Sequence, residues 1–191
     1  MEIIKSTVKI LLYPTILFTT IFLVLAIIIG LWVNEFSYLT NPEQIAKVTT
    51  TNFIQNIDGS SSFKLTLSKE NEVSNIDHIF NPVSKGNSVS DDYLVNGDSY
   101  TLEVIKIEWS EFFKSFGLNK SYKITSIVSS YKDPNKQMAN QTDSFVINGG
   151  YDEFIKTVIE NPDLSNFFAK SITKDSKTYS YLEAPLITII K

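Results

Sequence analysis

The sequence predicts an α+β protein in which one N-terminal transmembrane helix is followed by an antiparallel sheet domain with two or three packed helices. Two observations support this fold class. Residues 10–34 carry no charge, and 16 of the 24 residues from Ile10 to Val33 are Ile, Leu, Phe or Val. The rest of the chain alternates strand-like and short amphipathic helical segments without a repeat, which is typical of α+β domains.

The apolar segment 10–34 is long enough to anchor the chain in a bilayer. At about 1.5 Å per residue, its 24 residues from Ile10 to Val33 span about 36 Å, whereas the hydrocarbon core is about 30 Å thick. A cleaved signal sequence is the alternative. Its apolar region would be about 7–15 residues long and would end at a pair of small residues, which segment 31–35 lacks. We therefore expect a retained anchor.

The charges that flank the apolar segment predict its orientation. Lys5 and Lys9 precede it, whereas Glu35 follows it. Lysine is enriched on the cytoplasmic side, so residues 1–9 are predicted to be cytoplasmic and residues 35–191 to be periplasmic. The expected location is the inner membrane of a bacterium.

Four aromatic side chains frame the predicted span. Tyr13 lies near its first end, and Trp32, Phe36 and Tyr38 lie near its second end. Because aromatic rings prefer the headgroup region, these residues are predicted to be membrane-interface anchors.

The amino-acid composition limits the classes of molecule that the protein is expected to bind. Residues 35–191 contain 20 acidic residues and 15 lysines, a net charge of −5, so nucleic acid is not an expected partner. The chain has no cysteine and no arginine, which removes thiolate chemistry and bidentate binding of phosphate. The lipid bilayer and other envelope or membrane proteins are the predicted partners.

Residues 35–62 are predicted to form a membrane-proximal segment, and residues 63–191 the exported domain. Asn41 and the proline after it resemble a helix start, so a short helix carrying Ile45 and Val48 is expected, followed by a turn over 58–62.

The first half of the domain contains one clear strand and one irregular stretch. Phe63, Leu65 and Leu67 alternate with polar residues, which predicts a half-buried strand. Residues 70–98 are rich in Asn, Ser and Asp, and are expected to be a mobile loop or to hide a strand near 76–80.

The strongest strand prediction covers residues 100–109. Its apolar residues change parity between Val104 and Ile105, which indicates a bulge or burial on both faces. A short helix over 110–116, stopped by Gly117, is expected next.

The remaining elements follow from alternation and capping signals. A turn at 133–135 is expected to close the strand over 121–131, and the helix over 151–160 is expected to turn Phe154, Ile155, Val158 and Ile159 inward. The other predicted elements are a strand over 144–148, a short helix after Asn161, and strands over 178–182 and 186–190.

No motif of catalysis, metal binding or cofactor binding is recognised, so no enzyme activity, metal or cofactor is predicted. The only histidine, His78, has no cysteine or second histidine as a partner and is expected to be an ordinary loop residue. Asp91, Asp92 and Asp98 lack the order of a calcium loop, which favours a solvated loop.

A carboxylate-dependent hydrolase is the alternative within enzyme chemistry. Glu103, Glu108 and Glu111 are its candidate acids, although Glu103 and Glu108 should face opposite sides of a regular strand.

Three residues are candidates for contact with a partner. Asp98, Trp109 and Tyr131 stand at strand ends or on strands, although for the two aromatic residues packing inside the sheet domain is the more common role.

The second half of the chain resembles a protein family. Gly97-Asp98 opens a strand that ends at Trp109, and further marks stand at Gly117-Leu118, Tyr122, Tyr131, Asp133 and Thr178-Tyr179. This order is similar to that of uncharacterised proteobacterial envelope proteins with one membrane helix, often labelled "cation/multidrug efflux pump" or "multidrug transporter". Ser126 and Ser130 stand where that family carries arginine. The resemblance implies an inner-membrane protein with a periplasmic domain and supplies no catalytic residues.

A single-pass anchored envelope protein with a non-enzymatic interaction domain, as a structural or accessory subunit, is the predicted function. An accessory role in an efflux or transport system is an alternative. One helix without internal charge cannot itself build an alternating-access pathway.

Overall fold

The structure is a computed structural model that describes residues 2–38, 46–72, 75–80, 87–151, 153–182 and 186–187. Within these residues an apolar N-terminal helix is followed by two antiparallel sheets with short helices, which confirms the α+β class. In chain order the elements are α1 (Glu2–Asn34), β1 (Ser37–Tyr38), β2 (Ala46–Gln55), β3 (Ser61–Glu72), α2 (Asn75–Phe80), β4 (Asn87–Asn96), β5 (Ser99–Trp109), α3 (Glu111–Lys114), β6 (Lys120–Ser130), α4 (Pro134–Ala139), β7 (Ser144–Val146), α5 (Glu153–Glu160), α6 (Pro162–Phe168), β8 (Ala169–Ser180) and β9 (Leu186–Ile187).

The described strands form two separate antiparallel sheets, whereas the sequence predicted a single sheet. Among the described residues, the first sheet has the order β1-β6-β5-β8, with β7 paired to β6. The second has the order β4-β3-β2-β9. Gly97 and Asp98 connect β4 in the second sheet to β5 in the first, so the chain changes sheets at this corner.

Two apolar clusters hold the fold together. The intersheet core joins the sheets and includes Phe63, Leu65, Leu67, Val95, Tyr100, Leu102 and Ile124. The junction core joins the end of α1 to the first sheet and to the short helices, and includes Trp32, Val33, Phe36, Ile105, Ile107, Trp109, Phe113, Ile155, Val158 and Phe168. Strand β3 has the predicted alternation, with its apolar side chains fully buried.

The apolar residues of β5 change parity because its two halves pack into different cores. Its first half turns Tyr100, Leu102 and Val104 into the intersheet core, and its second half turns Ile105, Ile107 and Trp109 into the junction core. The pairing with β6 shifts at the same point, since Glu103 pairs with Ser126 and Val104 with Ile124. Burial on opposite faces along the strand is thus confirmed for β5, whereas the bulge lies in the partner strand β6, where Thr125 is the extra residue.

Several predicted elements are corrected. Val48 lies in strand β2 rather than in a helix, because the threonine-rich run after it favours extended backbone. The predicted start of that helix at Asn41 lies outside the described residues. Residues 75–80 form helix α2 instead of a strand.

The polar segments give further corrections. Residues 87–96, expected to be loop, form strand β4, which pairs with β3 from Ser62↔Asn96 to Glu72↔Asn87. Strand β8 starts at Ala169, nine residues before the predicted 178, because β5 supplies hydrogen bonds along its whole length. Asp133 caps helix α4 instead of closing a turn.

Helix α5 turns Ile155 and Val158 inward as predicted, but Ile159 is 37% exposed. The side chain of Phe154 and residues 188–190 of the last predicted strand lie outside the described part. Helices α3 and α6 are found where expected, and Gly117 follows α3 with a φ of +91°.

Candidate functional site: the junction between the apolar helix and the sheets

The exposure of α1 changes abruptly in its last turn. From Tyr13 to Leu31 its large apolar side chains are exposed, for example Phe18 at 73% and Leu31 at 66%, except that Ile29 is half-buried against the junction core. Trp32 and Val33 are then buried in the junction core. Within the described residues one helix segment, Tyr13–Asn34, has the length and apolar character needed to cross a membrane, a property shared by signal sequences and by buried helices of soluble proteins.

Aromatic rings fix the end of α1 to the first sheet and to α6. The Trp32 ring lies 5.0 Å from the Phe168 ring and 5.8 Å from the Trp109 ring, centroid to centroid. The Phe36 ring lies 5.9 Å from Trp109. These contacts are edge-to-face, and each such pair contributes about 0.5–1.5 kcal/mol beyond its buried area. The end of the helix is therefore part of the folded core.

A buried chain of hydrogen bonds crosses the same junction. Trp109 Nε1 donates to Ser121 Oγ at 2.7 Å, and Ser121 Oγ donates to Asn75 Oδ1 at 2.8 Å. Asn75 Nδ2 donates to the carbonyl oxygen of Val33 at 3.1 Å. The last carbonyls of a helix have no partner within the helix, so Asn75 supplies one to α1. Its backbone N–H also donates to the Phe36 carbonyl at 3.2 Å.

A charged pair closes the junction. The side chain of Lys123 is fully buried, and its Nζ donates to Glu35 Oε2 at 2.5 Å. The ammonium group also lies 5.9 Å from the centroid of the Phe36 ring. Burial of a lysine is costly unless a partner stabilises its charge, so Glu35 supports the position of β6 beneath the end of α1.

Replacing Glu35 by glutamine is expected to lower the free energy of unfolding by about 1–3 kcal/mol, because Lys123 stays buried opposite a neutral amide. The 43% exposure of the Glu35 side chain keeps the loss below that of a fully buried pair. Urea denaturation of the detergent-solubilised chain measures the change.

The double variant Glu35→Gln/Lys123→Met is expected to recover at least half of that loss, because methionine removes the buried charge. Asp92→Asn, which weakens an exposed pair with Lys64, is the matched control and should shift the midpoint much less than Glu35→Gln does. Equal midpoints for Glu35→Gln and Asp92→Asn would contradict the role given to Glu35.

The predicted interface anchors divide into two groups. Tyr13 is 69% exposed on α1. Trp32 is only 5% exposed and Phe36 is fully buried, so the prediction that these two rings contact headgroups is corrected: neighbouring rings of the junction core enclose them. Tyr38 pairs with Ser121 through its backbone in β1, and its side chain lies outside the described part.

The three candidate contact residues are structural. Trp109 is fully buried and Tyr131 is 5% exposed, so neither ring is accessible to a partner. The Tyr131 hydroxyl donates to the Ser61 carbonyl at 3.3 Å, which connects the residue that follows β6 to the start of β3. Asp98 Oδ1 accepts from the Lys132 N–H at 2.8 Å and from Ser99 Oγ at 3.1 Å, so its carboxylate stabilises the corner between the sheets.

The three glutamates of the hydrolase alternative each contact a lysine. Glu103 accepts from Ser126 Oγ at 2.7 Å and lies 3.4 Å from Lys174 Nζ. Glu108 and Glu111 are brought together by Lys114, at 3.6 Å and 2.9 Å from its Nζ. By strand alternation Glu103 faces away from Glu108.

Lys170 makes the shortest of the contacts to Glu108. Its Nζ donates to Glu108 Oε1 at 3.0 Å, and this hydrogen bond lowers the pKa of Glu108 below the ordinary value of a glutamate. A general acid for glycoside cleavage needs a raised pKa, so the surroundings of Glu108 do not favour that role.

The same contact predicts a small pH effect on stability. A lowered folded-state pKa stabilises the protein above the unfolded pKa of about 4.3, and this stabilisation is lost as the pH falls through the folded pKa. Glu108→Gln is therefore expected to lower the melting temperature at pH 7 and to leave it unchanged below the folded pKa, where the parent glutamate is also neutral, so that the acid side of a plot of melting temperature against pH becomes flatter. The shift at pH 7 should be small because surface pairs contribute little. Lys170→Met should flatten the acid side similarly, and the double variant no further. An acid side that stays as steep in Glu108→Gln as in the parent would contradict this assignment.

Among the side chains that the structure describes, the other candidate ligands do not converge on a metal site. Asp92 pairs with Lys64 at 2.8 Å and accepts a hydrogen bond from Thr66 Oγ1 at 2.6 Å, and these two contacts lower the pKa of Asp92. His78 lies in α2, and its side chain is outside the described part. Within the part of the chain that the structure describes, no group of three His, Cys, Asp or Glu side chains could hold a metal ion.

In a comparison with known proteins, no family model, curated protein or solved structure matches the chain. The resemblance to the envelope family therefore stays a prediction. Sequence inspection missed Asn75, Ser121 and Lys123 as residues of the junction. Asn75 stands in a stretch that resembles a loop, and the other two are polar residues on a strand.

Proposed function

We propose that this protein is a single-pass membrane protein whose exported domain is a non-enzymatic interaction module, held rigidly against its anchor. The observation that carries the proposal is the two-part character of α1. The part of α1 from Tyr13 to Leu31 exposes mainly apolar side chains, whereas Trp32 and Val33 belong to the core of the domain. A lipid bilayer is the environment in which the exposed apolar side chains of Tyr13–Leu31 are most stable.

The junction also favours a retained anchor over a cleaved signal sequence. Cleavage near the end of the apolar segment would remove Trp32, which contacts both Trp109 and Phe168. It would also remove the Val33 carbonyl that Asn75 binds. A removable leader would not be expected to complete the core of the mature domain.

Membrane fractionation tests the anchor. We expect the full chain to stay in the membrane pellet after washing with alkaline carbonate, with its N-terminal residues intact. The variant Ile21→Lys/Leu25→Lys should move to the soluble fraction, because each charge at the centre of a helix raises the insertion free energy by about 2.5–3.5 kcal/mol. Ile57→Lys, at a fully exposed position, is the control and should stay in the pellet. An intact, unprocessed chain in the soluble fraction would refute the anchor.

The proposed orientation places the N-terminus in the cytoplasm and the domain in the periplasm of a bacterium. It rests on the lysines before α1 and the acidic residue after it. External protease added to spheroplasts should digest the domain. Survival of domain fragments would reverse the orientation.

The proposed interaction role is tested by affinity capture in mild detergent. The tagged chain should bring down the same envelope proteins in repeated experiments, and these should be lost with the Ile21→Lys/Leu25→Lys variant because it no longer resides in the membrane. Repeated recovery of the chain alone would count strongly against an interaction module.

A further inference from the structure

Three phenylalanine side chains, on helices α3 and α6 and in the turn after α3, form an exposed aromatic patch. Phe112 is 54% exposed, Phe116 52% and Phe167 49%. The Phe112 ring lies 5.3 Å from the Phe116 ring and 5.8 Å from the Phe167 ring, so the three form one surface. Single exposed apolar residues are common, whereas a contiguous group of exposed rings is typical of an interaction surface.

The patch is continuous with the end of α1. Phe167 lies 5.1 Å from Phe168, whose ring lies 5.0 Å from Trp32 in the last turn of the helix. Two ring contacts therefore separate the exposed patch from the point where α1 enters the domain. If the apolar part of α1 occupies a bilayer, the patch lies beside the headgroup region of the leaflet from which the helix emerges.

The charges beside the patch are paired with one another. Lys114 lies between Glu108 and Glu111, and Lys170 binds Glu108, so these four side chains sum to zero. The chain as a whole has a net charge of −4. Attraction to an anionic surface is therefore not the driving force, and burial of phenylalanine surface in a zwitterionic leaflet fits the patch better.

We propose that the patch formed by Phe112, Phe116 and Phe167 inserts into the leaflet from which α1 emerges, so that the domain docks on the bilayer at a second point. This inference rests on the proposed anchor. Two contacts with the membrane, joined by the rigid junction core, would fix the tilt of the domain relative to the membrane plane.

Spin labelling tests the docking, and the absence of cysteine allows single labels. Nitroxide labels are placed separately at Phe112→Cys, Phe116→Cys and Phe167→Cys in the full chain, reconstituted in phosphatidylcholine vesicles. Collision rates with oxygen and with a nickel chelate report whether each label is in lipid or in water. Met138→Cys, on α4 at an 81% exposed position, is the water reference.

We expect the oxygen-to-nickel ratio to be at least threefold higher at the three patch labels than at Met138→Cys, with no change on adding 0.5 M salt. Ser115→Cys, a nearly isosteric change at an exposed position beside Phe116, should give the same result and serves where a phenylalanine variant fails to fold. Fluorescence of Trp32 and Trp109, the only tryptophans and both in the junction core, reports correct folding of each variant.

A label at Phe22→Cys on α1 separates the two proposals. A lipid-like ratio at Phe22→Cys together with water-like ratios in the patch would overturn the docking and leave the anchor intact. A water-like ratio at Phe22→Cys would overturn both. Spin–spin broadening in the patch that disappears on dilution with unlabelled chain would show a second copy of the protein there, and would also overturn docking on lipid.

Discussion

Replacing Trp109 by alanine is expected to lower the free energy of unfolding by about 3–5 kcal/mol, the typical cost of removing a large buried ring. Trp109 is fully buried, contacts the rings of Trp32, Phe36 and Phe113, and donates a hydrogen bond to Ser121. The alanine variant loses the ring contacts with the end of α1 and the hydrogen bond to β6 at the same time. Denaturation of the solubilised chain followed by far-ultraviolet circular dichroism measures the loss.

Trp109→Phe is the matched variant. It keeps an apolar ring but removes the indole N–H, leaving Ser121 without its donor, so a smaller loss of about 1–3 kcal/mol is expected. Met138→Ala, on the exposed surface of α4, should change stability by less than about 0.5 kcal/mol. If Trp109→Ala were no more harmful than Met138→Ala, Trp109 could not be part of a packed junction.

Gly97→Ala is expected to lower the free energy of unfolding by about 2–6 kcal/mol, the sum of overpacking and backbone strain. Gly97 has a φ of +152°, and a Cβ atom there would lie 2.7 Å from the backbone oxygen of Ser130. That oxygen accepts hydrogen bonds from the Asp98 N–H and from Ser99 Oγ, so it cannot move freely. The clash falls at the corner where the chain passes between the sheets.

Gly59→Ala separates strain from the clash. Gly59 also has a positive φ, +86°, but no atom lies within 4 Å of the position of its Cβ. Its substitution should cost only the backbone term of about 1–2 kcal/mol. Thermal melts of the two variants under one set of conditions give the comparison, and equal losses would mean that the close approach to Ser130 is not limiting.

Elements whose signals are local could be predicted from the sequence. Helix α6 starts after Asn161, whose side chain accepts from the N–H groups of Asp163 and Leu164, as its capping sequence suggests. Strand β3 shows its alternation because one face meets the core and the other meets water. In both cases the information lies within a few residues of the element.

Elements that depend on distant partners could not be predicted. Strand β4 is rich in Asn, Ser and Asp and has low intrinsic strand propensity, yet it forms because β3 offers a complete set of hydrogen-bonding partners. The first half of β8 is similar, since its polar residues pair along β5. Helix α2 supplies Asn75 to a carbonyl 42 residues earlier in the chain.

The sequence alone determined that an uncharged apolar segment precedes an acidic α+β domain, because the apolar run and the net charge depend only on which residues are present. Only the tertiary structure decided that Trp32 and Phe36 belong to the protein core rather than to an exposed surface. Their surroundings come from Trp109, Phe113 and Phe168, more than 70 residues away. Transfer of an aromatic ring from water is about equally favourable into lipid and into a protein core. Whether Trp32 and Phe36 are buried in lipid or in protein therefore depends on which residues the fold places beside them.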